Sequence, residues 1–176
     1  ATVVVTTRIA AATGTVIDDI RVSEFAGKKA ILRVYRSSSS VLGQRLDSLF
    51  DSFAELKPLA VRSVNARGAE RIEFGPSGAR GTVWLTNGEK ADVDVPLPDG
   101  TINASSFDLA LRSSDLSDGA RLSMKGFVAS MRSVQPFDAT VAGSEIVDGF
   151  PCWRVNANFA GSAVSFWIAK ETRQLL

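Results

Sequence analysis

The closing segment of the chain alternates apolar and polar residues on both sides of one glycine, a pattern that suits little except a β-hairpin. Trp153, Val155, Ala157 and Phe159 alternate with Cys152, Arg154, Asn156 and Asn158; beyond Gly161-Ser162, Val164, Phe166 and Ile168 alternate with Ser165, Trp167 and Ala169. A period of two argues strands with one buried face. Gly161-Ser162 reads as a two-residue type II′ turn, with glycine supplying the positive φ. That turn sets Phe159 opposite Val164, Ala157 opposite Phe166 and Val155 opposite Ile168, all on one face. A slip of one residue would turn every apolar side chain outward. Trp153 then belongs to the apolar face. Trp167 belongs to the face of Arg154 and Asn156, where it is the better candidate for contact with something else.

β signals dominate the rest of the chain. Thr2–Ile9, Thr15–Val22 and Lys28–Arg36 read as strands, and Ser37–Ser40 as a flexible polar loop. In residues 41–56, Leu42, Leu46, Leu49, Phe50, Phe53 and Leu56 fall at helical spacing. Arg71–Phe74 is a short strand between turns at Asn65–Gly68 and Gly75–Gly78. Asn87-Gly88 signals a type I′ turn joining Gly81–Thr86 to Glu89–Val95, which pairs Trp84 with Ala91 and Thr82 with Val93. Ser105 or Ser106 caps a short helix through Arg112, with Phe107, Ala110 and Leu111 on one face. Strands Arg121–Ser130, Ser133–Ala142 and Ser144–Val147 follow, the last ending at an Asp148-Gly149 turn.

Several chemistries have no support. The chain contains no histidine, which removes Ser–His–Asp and Cys–His catalysis and His-ligated zinc. Its single cysteine, Cys152, forbids an internal disulfide or a cysteine-built metal site and reads as buried packing. The net charge of +1 is spread evenly, which leaves no electrostatic footprint for nucleic acid. No apolar run reaches the roughly 18–20 residues of a transmembrane helix. Gly75, Gly78 and Gly81 lack the strand–loop–helix setting of a phosphate-binding loop, and no Walker or Rossmann motif is present. The carboxylate pairs Asp18/Asp19, Asp92/Asp94 and Glu145/Asp148 are neighbours on a strand or turn. Glycosidase chemistry instead needs two carboxylates across a cleft, about 5–9.5 Å apart. No catalytic residue, cofactor or metal is therefore expected.

Gly149-Phe150-Pro151-Cys152-Trp153-Arg154-Val155, followed by the run from Val164 through Phe166-Trp167-Ile168-Ala169-Lys170 to Leu175-Leu176, resembles the C-terminal signature of the bacterial DUF3108-type proteins. Leu56-Lys57-Pro58-Leu59 resembles a turn of that family, and Phe107–Arg112 with Leu116–Gly119 its mid-chain helical element. The resemblance covers roughly residues 40–176 and implies strand–turn–strand over 41–56, with the turn near Ala54–Lys57. It implies an exported protein, in the periplasm or cell envelope, similar to a LolA/LolB-like half-barrel, and it carries no catalytic residues. The expected fold is mainly β (β-rich α+β). It is a single curved antiparallel sheet or half-barrel of hairpins with one or two short helices, forming one domain over residues 1–176. No signal peptide is visible; the strand-like opening at Ala1-Thr2-Val3 suits a mature or trimmed product, and the stop at Leu175-Leu176 suits a chain that continues.

Two functions compete. One is a non-catalytic module binding a hydrophobic or amphipathic ligand such as a lipid or lipoprotein acyl chain, with Trp84, Phe127, Met131, Phe137, Phe159, Phe166 and Trp167 as candidate lining. The other is a structural or interaction domain docking onto a partner in an envelope or membrane-associated assembly.

Overall fold

Among the described residues, the alternation along the chain is realised as thirteen strands and one short α-helix. The computed structural model describes residues 2–9, 12–39, 43–159 and 162–176, with side chains described for 14–39, 43–158 and 163–176. The chain forms two compact units. The first comprises Ala1–Leu97 with Ala129–Arg132, and the second Pro98–Val128 with Ser133–Leu176. The mainly β, antiparallel expectation holds, with the strands distributed over two sheets.

The first unit holds β1 (Thr2–Ile9), β2 (Ala12–Phe25), β3 (Lys28–Ser39), β4 (Gly43–Ser52), β5 (Pro58–Asn65), β6 (Gly68–Gly75), β7 (Gly78–Leu85) and β8 (Lys90–Val95). They lie in chain order, each antiparallel to the next, and among the described residues the sheet is not closed on itself. Residues 43–52 form a strand, as the resemblance implies. Period two sends Leu49 inward, 1% exposed, and leaves Leu46 outward, 48% exposed. The helical stripe is thereby split between faces; Val41 and Leu42 lie outside the described residues. Ser37–Ser39 are not a loop but the end of β3, with Ser38 paired to both Thr15 and Gln44; Ser40 lies outside the described residues.

The Asn87-Gly88 turn differs from its expectation by one residue. Leu85 and Glu89 close the loop, with Leu85 N–H donating to Glu89 O at 2.9 Å and Gly88 N–H to Leu85 O at 3.0 Å. Gly88 takes φ +82°, and the Asn87 side chain accepts from Glu89 N–H at 3.0 Å. This is a three-residue turn with glycine in the left-handed position, the next most common hairpin solution. The register therefore pairs Trp84 with Lys90 and Thr82 with Asp92, not with Ala91 and Val93. Val93 joins Leu49, Val61 and Ile72 in one buried cross-strand row, while Asp94 meets Arg80 on the other face at 3.2 Å.

The second unit holds β9 (Thr101–Asn103), a 3₁₀ turn (Ala104–Ser106), α1 (Phe107–Ser113), β10 (Arg121–Val128), β11 (Ser133–Val147), β12 (Phe150–Phe159) and β13 (Ser162–Ala169). The sheet order is β13-β12-β11-β10-β9, with β9 parallel to β10. The 3₁₀ turn is capped by Asn103, whose Oδ1 accepts from Ser105 N–H at 2.9 Å, and Ser106 stands at the N-cap position of α1. A short amide side chain reaches the orphan N–H from two positions earlier. α1 buries Phe107, Leu109, Ala110 and Leu111. Phe107 stands 5.2 Å from the Phe137 ring and 6.0 Å from Phe166, so these aromatics pack helix against sheet. At the far end of the helix, Arg112 Nε donates to Arg173 O at 2.6 Å and Arg173 Nη1 to Ser114 O at 3.2 Å.

Two registers here depart from expectation. Residues 133–147 are one strand, not two, because a β-bulge between Val141 and Gly143 carries the chain through the break. In the last hairpin, Phe159 pairs with Ser162, Ala157 with Val164, Val155 with Phe166 and Trp153 with Ile168. Ser162 is thus already part of β13, and Ala160 and Gly161 lie outside the described residues. The partner of each residue shifts by two, which preserves the faces: Trp153 stays with Val155, and Trp167 stands directly opposite Arg154.

Candidate functional site

Strands β2 to β5 place four outward side chains in one cross-strand line: Ile17 opposite Arg36, Arg36 opposite Leu46, and Leu46 opposite Val64. The line continues through Ala69 to Trp84 and Lys90 on β6, β7 and β8. Directly opposed residues on paired strands share a face, so Trp84 belongs with Leu46 and Val64. Leu46 is 48% and Val64 60% exposed. An open cavity of about 800 Å³ sits over this line, bounded by Ile17, Leu46, Val64 and Ala66 with Thr15, Arg36, Ser37, Ser38, Gln44, Arg45 and Asn65. Among the described residues, its charged lining residues are both arginines.

On the opposite face of the same strands the usual pattern is inverted, with polar groups buried. Asp18, Tyr35, Asp47, Ser63 and Glu70 form the adjacent row. Asp47, 3% exposed, accepts from Ser63 Oγ at 2.6 Å and from Arg45 Nε at 2.7 Å. Arg33 grips Asp18 with two hydrogen bonds, Nε to Oδ1 at 2.8 Å and Nη2 to Oδ2 at 2.6 Å. The Arg45 guanidinium lies 5.5 Å from the Tyr35 ring centre. Buried charges persist only when paired and hydrogen-bonded, and the Asp18 and Asp47 carboxylates are both so held. The Glu70 carboxyl is held above its ordinary value of 4.5, first by burial and then by Asp47, with Arg45 opposing.

That cause fixes a pH dependence. A carboxyl whose folded value exceeds its unfolded value favours the fold fully below about pH 4.5, and its contribution is lost as pH rises through the folded value. Glu70→Gln removes that loss. Thermal melts are expected to coincide with wild type at the acidic end and to show a higher Tm for the variant at pH 8; coincidence throughout would contradict it.

The residues singled out from sequence are distributed as follows. Trp84 is half-buried on the row beside the cavity. Phe127 and Phe137 are buried in the second unit, 1% and 0% exposed, and Phe166 is half-buried against Phe107. Met131, 53% exposed, ends the 3₁₀ turn Ala129–Met131 of the first unit. The Phe159 side chain lies outside the described residues. Phe137 and Phe166 are brought together by Phe107, and Trp167 is on the other face of their sheet. Its indole Nε1 donates to Glu145 Oε2 at 2.8 Å, while Arg154 Nη1 donates to Glu145 Oε1 at 2.6 Å. The bulge after Val141 makes this possible, since it re-aims Glu145 from the Phe137 face to the Trp167 face. Trp153 carries the Lys170 ammonium 3.6 Å above its ring, and Cys152 is fully buried.

Leu46, Val64 and Arg36 were not legible as a site from sequence. The one signal was the outward half of each alternating strand, and only the register aligns the halves. Among the described residues, no group of three or more His, Cys, Asp or Glu side chains is placed to hold a metal, and no helix is long and apolar enough to cross a membrane.

The described strands define a mainly β protein, with a hairpin ladder in one unit and, in the other, a mostly antiparallel sheet packed against α1. The family model described as "Protein of unknown function (DUF3108)" matches residues 2–176, and the chain belongs to that family. No curated protein matches it. Among solved structures it is similar to the beta-barrel-like protein of domain of unknown function DUF1849 from Brucella abortus. The TM-score is 0.54 at 15% identity, over 92% of this chain and 79% of that one. This likeness concerns the fold.

Proposed function

We propose that the chain is a non-catalytic module that binds a hydrophobic or amphipathic ligand, such as a lipid or lipoprotein acyl chain, in the cavity of the first unit. The observation that carries the reading is the open cavity of about 800 Å³ over Leu46 and Val64. Ligand sites are mostly apolar concavities of about 300–1,000 Å³ with a few polar groups. Covering the exposed parts of these two side chains is worth about 1 kcal/mol each. A setting in the periplasm or cell envelope rests on the family resemblance alone. This reading moves the expected lining away from Phe137 and Phe166, which pack against α1, and leaves Trp84 on the same cross-strand row, beyond the residues that bound the cavity.

The test uses the neutral, environment-sensitive dye N-phenyl-1-naphthylamine. Its fluorescence is expected to rise on binding, and Leu46→Asp and Val64→Asp, both at exposed positions, are each expected to weaken it about tenfold. Absence of binding, or binding indifferent to both changes, would sink the reading. Docking onto an envelope partner is the second reading. It is favoured by the apolar tip of the β11–β12 hairpin, where Ile146 and Phe150 are 77% and 53% exposed.

A further inference from the structure

We infer that the occupant of this cavity is a single-chain anionic amphiphile, its charged end held at Arg36 and its chain laid along Leu46 and Val64 toward Trp84. The inference rests on the cavity being a ligand site and adds the chemistry of the ligand. Among the described residues, the lining contains two cations and no carboxylate. Arg45 is already paired with Asp47. Arg36 is exposed and, among the described residues, has no ion pair, so it is the charge left for a ligand.

The polarity around Arg36 is graded. One step toward the strand ends on the same face stand Thr15, Ser38 and Gln44, all exposed and paired across β2, β3 and β4. Hydroxyl and amide groups beside a guanidinium are donors suited to a carboxylate or phosphate. In the other direction the row is apolar for three strands before Trp84, and the four inter-strand steps from Arg36 to Trp84 span about 19 Å. A headgroup at one end and a chain along the row use both halves of the site. The cavity volume suits one small molecule.

Displacement of the bound naphthylamine dye by dodecanoate and by dodecanol tests the charge. Dodecanoate is expected to compete at least tenfold more effectively. Arg36→Gln is expected to collapse that ratio toward one, and Arg36→Lys to retain most of it. Both substitutions fall on an exposed side chain, and circular dichroism checks that the fold is kept. Equal competition by the two compounds in the wild type, or a ratio unchanged in Arg36→Gln, would overturn the inference while leaving the cavity reading intact. Binding to phosphatidylglycerol vesicles without displacement by dodecanoate would assign Arg36 to a membrane surface and overturn it too. Failure of the dye itself to bind removes the cavity reading, a different outcome.

Discussion

Arg33→Leu is expected to destabilise the first unit by about 3 kcal/mol, measured by urea unfolding. The Arg33 side chain is 9% exposed and that of Asp18 18%, and their two hydrogen bonds span adjacent strands β2 and β3. Removing the guanidinium leaves a nearly buried carboxylate with its principal partner gone, and that desolvation, more than the lost attraction, sets the size of the effect. The control is the double change Arg33→Leu with Asp18→Leu. A buried ion pair replaced by apolar residues is often neutral, so the double variant is expected to recover most of the loss. A single variant within 1 kcal/mol of wild type would show that the pair is solvated and that the buried polar row is not held by it.

The second large effect is expected at Gly126. A Cβ there would stand 1.8 Å from Cε2 and 2.5 Å from Cδ2 of Phe137. The ring cannot swing away, because Phe137 is fully buried and packed against Phe107. Gly126→Ala is expected to cost about 3 kcal/mol through overpacking, the upper end of what added methyl groups do in a filled core. Phe137→Leu opens room where the Cβ would go. Combined with Gly126→Ala it is expected to cost less than the sum of the two single changes by at least about 1 kcal/mol. Additive costs would mean that the ring and the glycine are not coupled.

Much of the fold was legible because hairpins advertise themselves locally. Strict alternation fixed β12 and β13, and it fixed which face Trp153 and Trp167 take. Even there the register differs by two residues, with Phe159 opposite Ser162 and not Val164, and only the pairing of whole strands reveals it. At Asn87-Gly88 the difference in register changed the faces, because a three-residue loop alters the parity that a two-residue loop would keep. Ser37–Ser39 looked like a loop by composition, yet strands on either side supply their hydrogen bonds. The site was the least legible part. Leu46 and Val64 are apolar and point outward, whereas Asp47 and Ser63, one residue away, are polar and buried. A pattern that assigns apolar residues inward reads this region inside out, and only the ion pairs seen in three dimensions explain why the polar row tolerates burial.

The ladder order of the first unit has a kinetic consequence. Every strand from β1 to β8 pairs with its neighbours in sequence, so each pairing closes a short loop, and short loops are cheap in chain entropy. Such a ladder can grow one hairpin at a time, which favours rapid assembly for a β protein. The line from Ile17 to Trp84 is different, because it exists only when five successive turns all adopt the right length. A slip in any one moves part of the line to the opposite face. The proposed binding surface is therefore a check on the whole ladder: a chain can be folded hairpin by hairpin and still not assemble this line until the last register is correct.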